Sequence, residues 1–397
     1  MGDRRAAIVG FTEWAPQRKW PEPMFTLKAF SRLTKGALDD AGMELGEVDG
    51  VLTTSPVPES RMFAPSAVAE YLGIPAAFAE IVDLGGSSGA GMIWRAVAAI
   101  EAGACDTCIC IGATIPPPPN PNAKPDPTRA YLGADAWGAP HGQFDVPYGL
   151  INPNSHFAMV AQRYMHDYNL QPGTLAKIAV QQRENAQANP KSQFQGQSIT
   201  VNDVLESPMI VDPLHMLEIV MPSFGGVGIV VTTMERAKQL SNRPVVLTGF
   251  GEQVTHKSIT YAPTLTAVPI KAAADRAFRM AGVERKDIDM AALYDCYTIT
   301  VLLTIEDSGF CGKGEGERFV QEHDLRYTGD WPLNTNGGQL SLGQAGIAGG
   351  MYHITDALEQ LMGRAGERQL KQCERAYVSG TGGFMSEQAA LILEGAS

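Results

Sequence analysis

The sequence predicts an α/β fold made of two copies of one strand–helix unit, with layered sheets covered by helices and a helical segment inserted between the copies. Three observations predict it. Two distant stretches of the chain repeat each other's pattern. Within each, apolar strand-like runs alternate with amphipathic segments that end in glycine, which is how helix-covered sheets are written in sequence. Between them lies a region with amphipathic helices.

The elements follow in order. "AAIVGF" (6–11) matches "VVLTGF" (245–250), and "GALDDAGMELGEVDGVLTTS" (36–55) matches "RAFRMAGVERKDIDMAALYD" (276–295). Ala41-Gly42-Met43-Glu44 falls on Ala281-Gly282-Val283-Glu284, and Val48-Asp49 on Ile288-Asp289. Each copy thus reads as a strand, a helix closed by glycine, a turn with aspartate and a second strand. Downstream, "GAGMIWRAVAAIEAG" (89–103) parallels "GGMYHITDALEQLMG" (349–363), and the strands "TCICIGAT" (107–114) and "AYVSGTGG" (376–383) follow. The expected units are residues 1–115 plus 205–235, and residues 240–397. Residues 116–204 form the insert. It opens with "TIPPPPNPNAKPDP" (114–127), a stiff extended linker or, alternatively, a polyproline recognition segment. Helices are predicted over 155–170 and 174–190, with Ser155 and Thr174 as N-caps and Pro190 near the second stop.

With 31 basic and 43 acidic residues the net charge is −12. That argues against nucleic acid and anionic membrane as partners. The start lacks a signal-type apolar region, and Ala6 stands where N-acylation needs Ser or Thr. No stretch is long and apolar enough to span a bilayer. Cys105, Cys108 and Cys110 form "CDTCIC", a possible metal or redox motif, but no second pair completes it. A buried strand explains them better. No metal site is expected, and a reduced, cytoplasmic setting is.

The stretch "VDLGGSSGAGM" (82–92) runs from a strand through a glycine–serine turn into a helix. Such a turn presents either a nucleophile or a cradle of backbone amides. Ser87 and Ser88 are the available hydroxyls, but neither has a nearby histidine in sequence to activate it.

The duplicated βαβαβαββ unit with a helical loop region resembles the thiolase superfamily, and "YGLINPNSHFAMVAQRYMHDY" and "DPLHMLEIV" resemble its sterol-carrier-protein branch. The resemblance implies a five-layer αβαβα arrangement. Four motif positions occur in order, each altered. The nucleophilic cysteine position is Gly86, in Gly86-Ser87-Ser88-Gly89. The acid/base histidine position is Gln344, the second cysteine position is Ser379 in Ser379-Gly380-Thr381, and the Asn/His position is Tyr294 in Tyr294-Asp295-Cys296-Tyr297-Thr298. Condensation through an acyl-cysteine is therefore excluded.

The same losses, with "NTxGG" as at Asn334 to Gly338, mark thiolase-like aldolases of steroid side-chain degradation. What that implies is retro-aldol cleavage of a β-hydroxyacyl-CoA, with no covalently bound cofactor, a homodimer, and a small OB-fold zinc-ribbon partner. Tyr294 is the expected acid/base, with Asp295 either orienting it or capping a strand end. The aldolases' second tyrosine aligns with Gln344, which leaves a one-tyrosine mechanism, a relay through Gln344, or substitution by Tyr352. Gly86, Ser379, Gly380 and Thr381 are expected to aim amides at the thioester oxygen. Ser87, Ser88, Asn334, Asn336 and Cys296 are expected at the substrate. His156, His166 and His215 read as structural, and His353 as a possible member of a polar network. The cations for the CoA phosphates are left open among Arg129, Lys177, Arg183 and Lys191. The rival functions are a non-catalytic acyl-CoA or sterol scaffold and an acyltransferase subunit.

Overall fold

A computed structural model of the chain describes residues 5–55, 63–118, 141–150, 152–257 and 259–396. The proline-rich segment beyond residue 118 and Arg129 lie outside them. Eleven strands are described: β1 (Ala6–Gln17), β2 (Gly50–Thr53), β3 (Phe78–Ile81), β4 (Thr107–Thr114), β5 (Met209–Val211), β6 (Leu214–His215), β7 (Phe224–Thr233), β8 (Val245–Val254), β9 (Met290–Ala292), β10 (Arg375–Gly382) and β11 (Glu387–Gly395).

The duplication is visible in the pairing. The first copy orders its strands β3-β2-β4-β7-β1, and the second orders them β8-β11-β10-β9. One residue pair, Ile8 with Val245, joins the two into a single ladder. β2 runs parallel to β3 and β4, as β9 does to β10, while β7 and β11 return antiparallel. The helices Thr26–Ala41 and Ile270–Ala281 cover the two outer faces. Each ends at a glycine in left-handed conformation, Gly42 and Gly282, where only glycine avoids a Cβ clash.

Between the half-sheets lie the helices Ser88–Glu101 and Met351–Leu361, which touch strands of both copies. Nearly every side chain of the second is buried, so the helix is apolar or hydrogen-bonded all round. This gives five layers, with Met92, Ile93, Ile354 and Leu358 in the central core. Cys108 and Cys110 are free thiols inside β4, packed as small apolar residues. Among the described residues no group of His, Cys, Asp and Glu is placed to hold a metal, and no helix is long and apolar enough to cross a membrane.

The insert contributes the helices Pro153–Tyr168 and Pro172–Gln187. Their N-caps are Asn152 and Gln171 rather than Ser155 and Thr174. The correction has a simple cause: Pro153 and Pro172 open each helix, where proline's fixed φ is already helical and its missing N–H costs nothing. Ser155 and Thr174 then fall inside the first turn. The first helix is clasped to the second copy by His156, whose ring stacks on Phe384 at 3.7 Å. Tyr297 stacks on Phe157 at 4.1 Å and donates to Asn154 Oδ1 at 2.7 Å.

Candidate active site

The turn after β3 brings Gly86 to the N-terminal end of the central helix Ser88–Glu101. A side chain has no room there. A Cβ on Gly86 would lie 2.5 Å from the Thr381 carbonyl oxygen, and closer still to the hydroxyl and Cζ of Tyr294. The tyrosine hydroxyl therefore occupies the space that a side chain at position 86 would need. Tyr294 is almost wholly buried, whereas Gly86 and Gln344 are partly exposed. Gln344 Nε2 donates to the Tyr294 hydroxyl at 3.1 Å.

Three long-range contacts hold the tyrosine's backbone. Asn334, in left-handed conformation, accepts from Leu293 N at 2.7 Å and donates to Leu293 O at 2.9 Å. Ser379 Oγ accepts from Tyr294 N at 3.1 Å. The Asp295 carboxylate, fully buried, accepts from the backbone N–H groups of Gln339 at 2.9 Å and Leu340 at 3.1 Å. These two amides open the short helix Gly338–Leu342 that follows the Asn334–Gly338 turn. Gln344 is fixed by its own backbone, which donates to Met221 O at 3.0 Å and accepts from Ser223 N at 2.7 Å.

The structure thus brings Gly86, Tyr294, Gln344, Ser379 and Thr381 together. It places the other expected residues differently. Tyr352 is fully buried and its hydroxyl is committed to backbone, donating to Trp14 O at 2.6 Å and accepting from Gly226 N at 3.0 Å. Burial holds its proton far above the ordinary tyrosine range. It serves packing, and the substitution for a second catalytic tyrosine has no support in this geometry.

Ser88 Oγ is spent inside the turn, accepting from Leu84 N at 2.9 Å and donating to Gly85 O at 2.7 Å. Ser87 Oγ is buried with no hydrogen-bond partner, and hence no base, which removes it as a nucleophile. Asn334 and Asn336 spend their amides on the protein: Asn336 donates to Tyr352 O at 3.1 Å and accepts from Gly338 N at 2.8 Å. Cys296 is buried against Thr300 at 3.6 Å, and burial pushes its thiol up to about 12. All three have their polar groups engaged within the protein. Ser379, Gly380 and Thr381 lie in strand β10, paired to Ala390, Ala389 and Gln388. β9 pairs only as far as Val378, and Gly380 then packs against Ser87, where a Cβ would come within 2.8 Å of the serine oxygen.

Of the four candidate phosphate cations, the three among the described residues are tied down. Lys177 donates to the Val320 and Gln321 carbonyls at 2.6 and 3.1 Å. Lys191 pairs with Glu13 at 2.8 Å and Glu359 at 3.1 Å. Arg183 is buried on Ser341 and Phe194, and burial lowers it to about 10. Sequence reasoning missed Gln339 and left His353 unassigned, and both meet Asp295. The only signal was the spacing of an acid to a glycine-started helix, whose amides attract carboxylates.

Fold and site together define a thiolase scaffold with glycine at the nucleophile position, Gln344 at the acid/base histidine position and Tyr294 at the Asn/His position. Residues 26–232 match the thiolase N-terminal domain, and residues 251–395 match the thiolase C-terminal domain-like family. The 17-hydroxy-3-oxo-4-pregnene-20-carboxyl-CoA lyase of Mycobacterium tuberculosis is 32% identical over 90% of this chain and 92% of its own. The steroid side-chain-cleaving aldolase of Thermomonospora curvata is 31% identical over 91% of each chain. A solved structure described as Ltp2-ChsH2(DUF35) aldolase superposes with a TM-score of 0.86 at 29% identity, covering 98% of each chain. This chain belongs to the thiolase superfamily, in the sterol-carrier-protein-like branch that contains these steroid side-chain aldolases.

Proposed function

We propose that this chain is a carbon–carbon lyase that cleaves a β-hydroxyacyl-CoA, of steroid side-chain type, by a retro-aldol reaction. One observation carries the reading: the Tyr294 hydroxyl stands in the place that a nucleophile's side chain at position 86 would need, with Gln344 Nε2 donating to it. The names of the similar lyase and aldolase supply the substrate class.

In the proposed step Tyr294, as phenolate, takes the proton of the β-hydroxyl. The oxygen's electron pair forms the new carbonyl as the Cα–Cβ bond breaks. The bonding pair passes into the thioester as an enolate, which regains its proton from the tyrosine. Gln344 supports the phenolate through its N–H. Backbone at Gly86 and at Ser379–Thr381 is the proposed neighbour of the thioester oxygen. No covalent acyl-enzyme forms.

A homodimer and a small OB-fold zinc-ribbon partner complete the proposal, in a cytoplasmic setting. Among the described residues strand β3 is an edge of the sheet, paired on one side only, and the similar structure's description names a DUF35 component. The test is Tyr294→Phe. Cleavage of a β-hydroxyacyl-CoA is expected to fall by about a hundredfold or more, the scale of a lost general acid/base, while thioester binding stays. Turnover near the wild-type level would remove this tyrosine as the proton carrier.

A further inference from the structure

Gln344, whose side chain donates to the Tyr294 hydroxyl, stands between two short helical turns, Gly338–Leu342 and Gly346–Ala348, and belongs to neither. Its backbone is held from outside, by an isolated bridge to Pro222: Gln344 N donates to Met221 O at 3.0 Å, and Ser223 N donates to Gln344 O at 2.7 Å. The residue before it, Gly343, has a φ of 114°, a conformation that strains any residue with a Cβ. A Cβ on Gly343 would overlap Gln193 Nε2 and come within 3.0 Å of Ser223 Oγ and 3.1 Å of Pro16. The place of Gln344 is thus decided by what packs round positions 343 and 344.

The insert supplies that packing. Asn189 Nδ2 donates to Asn336 O at 2.9 Å, Ser192 Oγ to Ser341 O at 2.6 Å and Gln193 N to Leu342 O at 3.4 Å. Residues 189–193 therefore run along the backbone that leads to Gln344. Gln193 then reaches past Gly343, and its Nε2 donates to the Ser223 hydroxyl. Ser223 is buried and donates in turn to Met221 O at 3.0 Å, the same carbonyl that accepts from Gln344 N. A single hydroxyl thus ties an amide of the insert to the carbonyl that fixes Gln344. We propose that Gln193, acting through Ser223, is a positioning residue of the lyase: it holds the 221–223 segment and so sets Gln344 Nε2 against the Tyr294 hydroxyl. The inference rests on the proposed function. Its effect passes through the backbone of residue 344, so it bears on the reacting hydroxyl and leaves thioester binding alone.

The test is steady-state cleavage of a β-hydroxyacyl-CoA by the full chain, with its partner protein where one is bound. Gln193→Ala and Ser223→Ala should each lower kcat about three- to tenfold, the worth of one neutral hydrogen bond, with KM within about twofold. The two together should lower kcat no further than either alone. In a Gln344→Ala background neither should lower kcat by more than about twofold, because the side chain they position is gone. An insert that only packs would give the same loss in both backgrounds. A Gln193→Ala kcat within about twofold of wild type, or an equal loss with and without Gln344, overturns the inference while wild-type cleavage leaves the proposed function standing. Should Gln193→Ala fail to fold, Ser223→Ala decides by the same criteria. A wild-type protein that cleaves no β-hydroxyacyl-CoA overturns both.

Discussion

Replacing Gly86 by alanine adds one methyl group, at the most crowded point of the site. Its carbon would stand 2.5 Å from the Thr381 carbonyl oxygen and nearer than that to the Tyr294 hydroxyl and Cζ, where ordinary contact begins at 3.4 Å. The overlap with the carbonyl is 3.4 − 2.5 = 0.9 Å. β10 is paired to β11 at Thr381 and cannot retreat cheaply, so the phenol is the part that yields. A displacement of about 1 Å in a catalytic group costs up to about a hundredfold in rate, and overpacking a filled site costs about 1–3 kcal/mol of stability. Gly86→Ala is therefore expected to lower kcat about a hundredfold and to lower the denaturant midpoint. In a Tyr294→Ala background, with the ring gone, most of the stability loss should disappear, a coupling that a double-mutant cycle measures. Gly86→Cys carries the same Cβ and should likewise lose cleavage without making a condensed product, because Gln344 and Ser379 cannot carry protons near neutral pH. A Gly86→Ala enzyme that turns over within a few-fold of wild type would show that the hydroxyl does not react from this position.

Three further outcomes follow from the same geometry. Tyr352→Phe removes the bonds to Trp14 O and Gly226 N, so it should cost about 1–3 kcal/mol in chemical denaturation and leave kcat within a few-fold; a collapse of kcat at unchanged stability would return Tyr352 to the mechanism. Alkylation of the native protein should modify Cys311 at most, the one cysteine of the six that is not buried, and should leave cleavage intact; a labelled acyl group trapped on any cysteine during turnover would contradict the mechanism. Asp356 is fully buried, and burial raises its proton affinity from 3.8 to about 6 despite Arg368 at 3.1 Å. Its protonated form is the one the fold prefers, so its contribution is full below about pH 4 and is lost as pH rises through 6, about 3 kcal/mol at the outside. The melting temperature of wild type minus that of Asp356→Asn should accordingly be more positive at pH 4 than at pH 7, and a difference that does not change with pH would refute it.

The sequence by itself determined the duplicated α/β architecture, because glycine-ended helices and apolar strands are local patterns and recur at matching places in both copies. The resemblance to the thiolase motifs also singled out Gly86, Tyr294, Gln344 and Ser379, because each falls at a motif position of that superfamily. What the tertiary structure decided is how each polar side chain is spent. On sequence a one-tyrosine mechanism, a relay through Gln344 and substitution by Tyr352 all stayed open; the fold gives Tyr352 to the backbone of Trp14 and Gly226 and aims Gln344 at the Tyr294 hydroxyl. Asn334, Asn336 and Lys191 likewise read as binding groups until their partners are known. His353 meets Asp295 only because the central helix of the second copy is packed between two sheets. A hydrogen bond's worth depends on which donor or acceptor lies within about 3 Å of it, and for these side chains that partner comes from a distant part of the chain, brought near only by the packing of the layers.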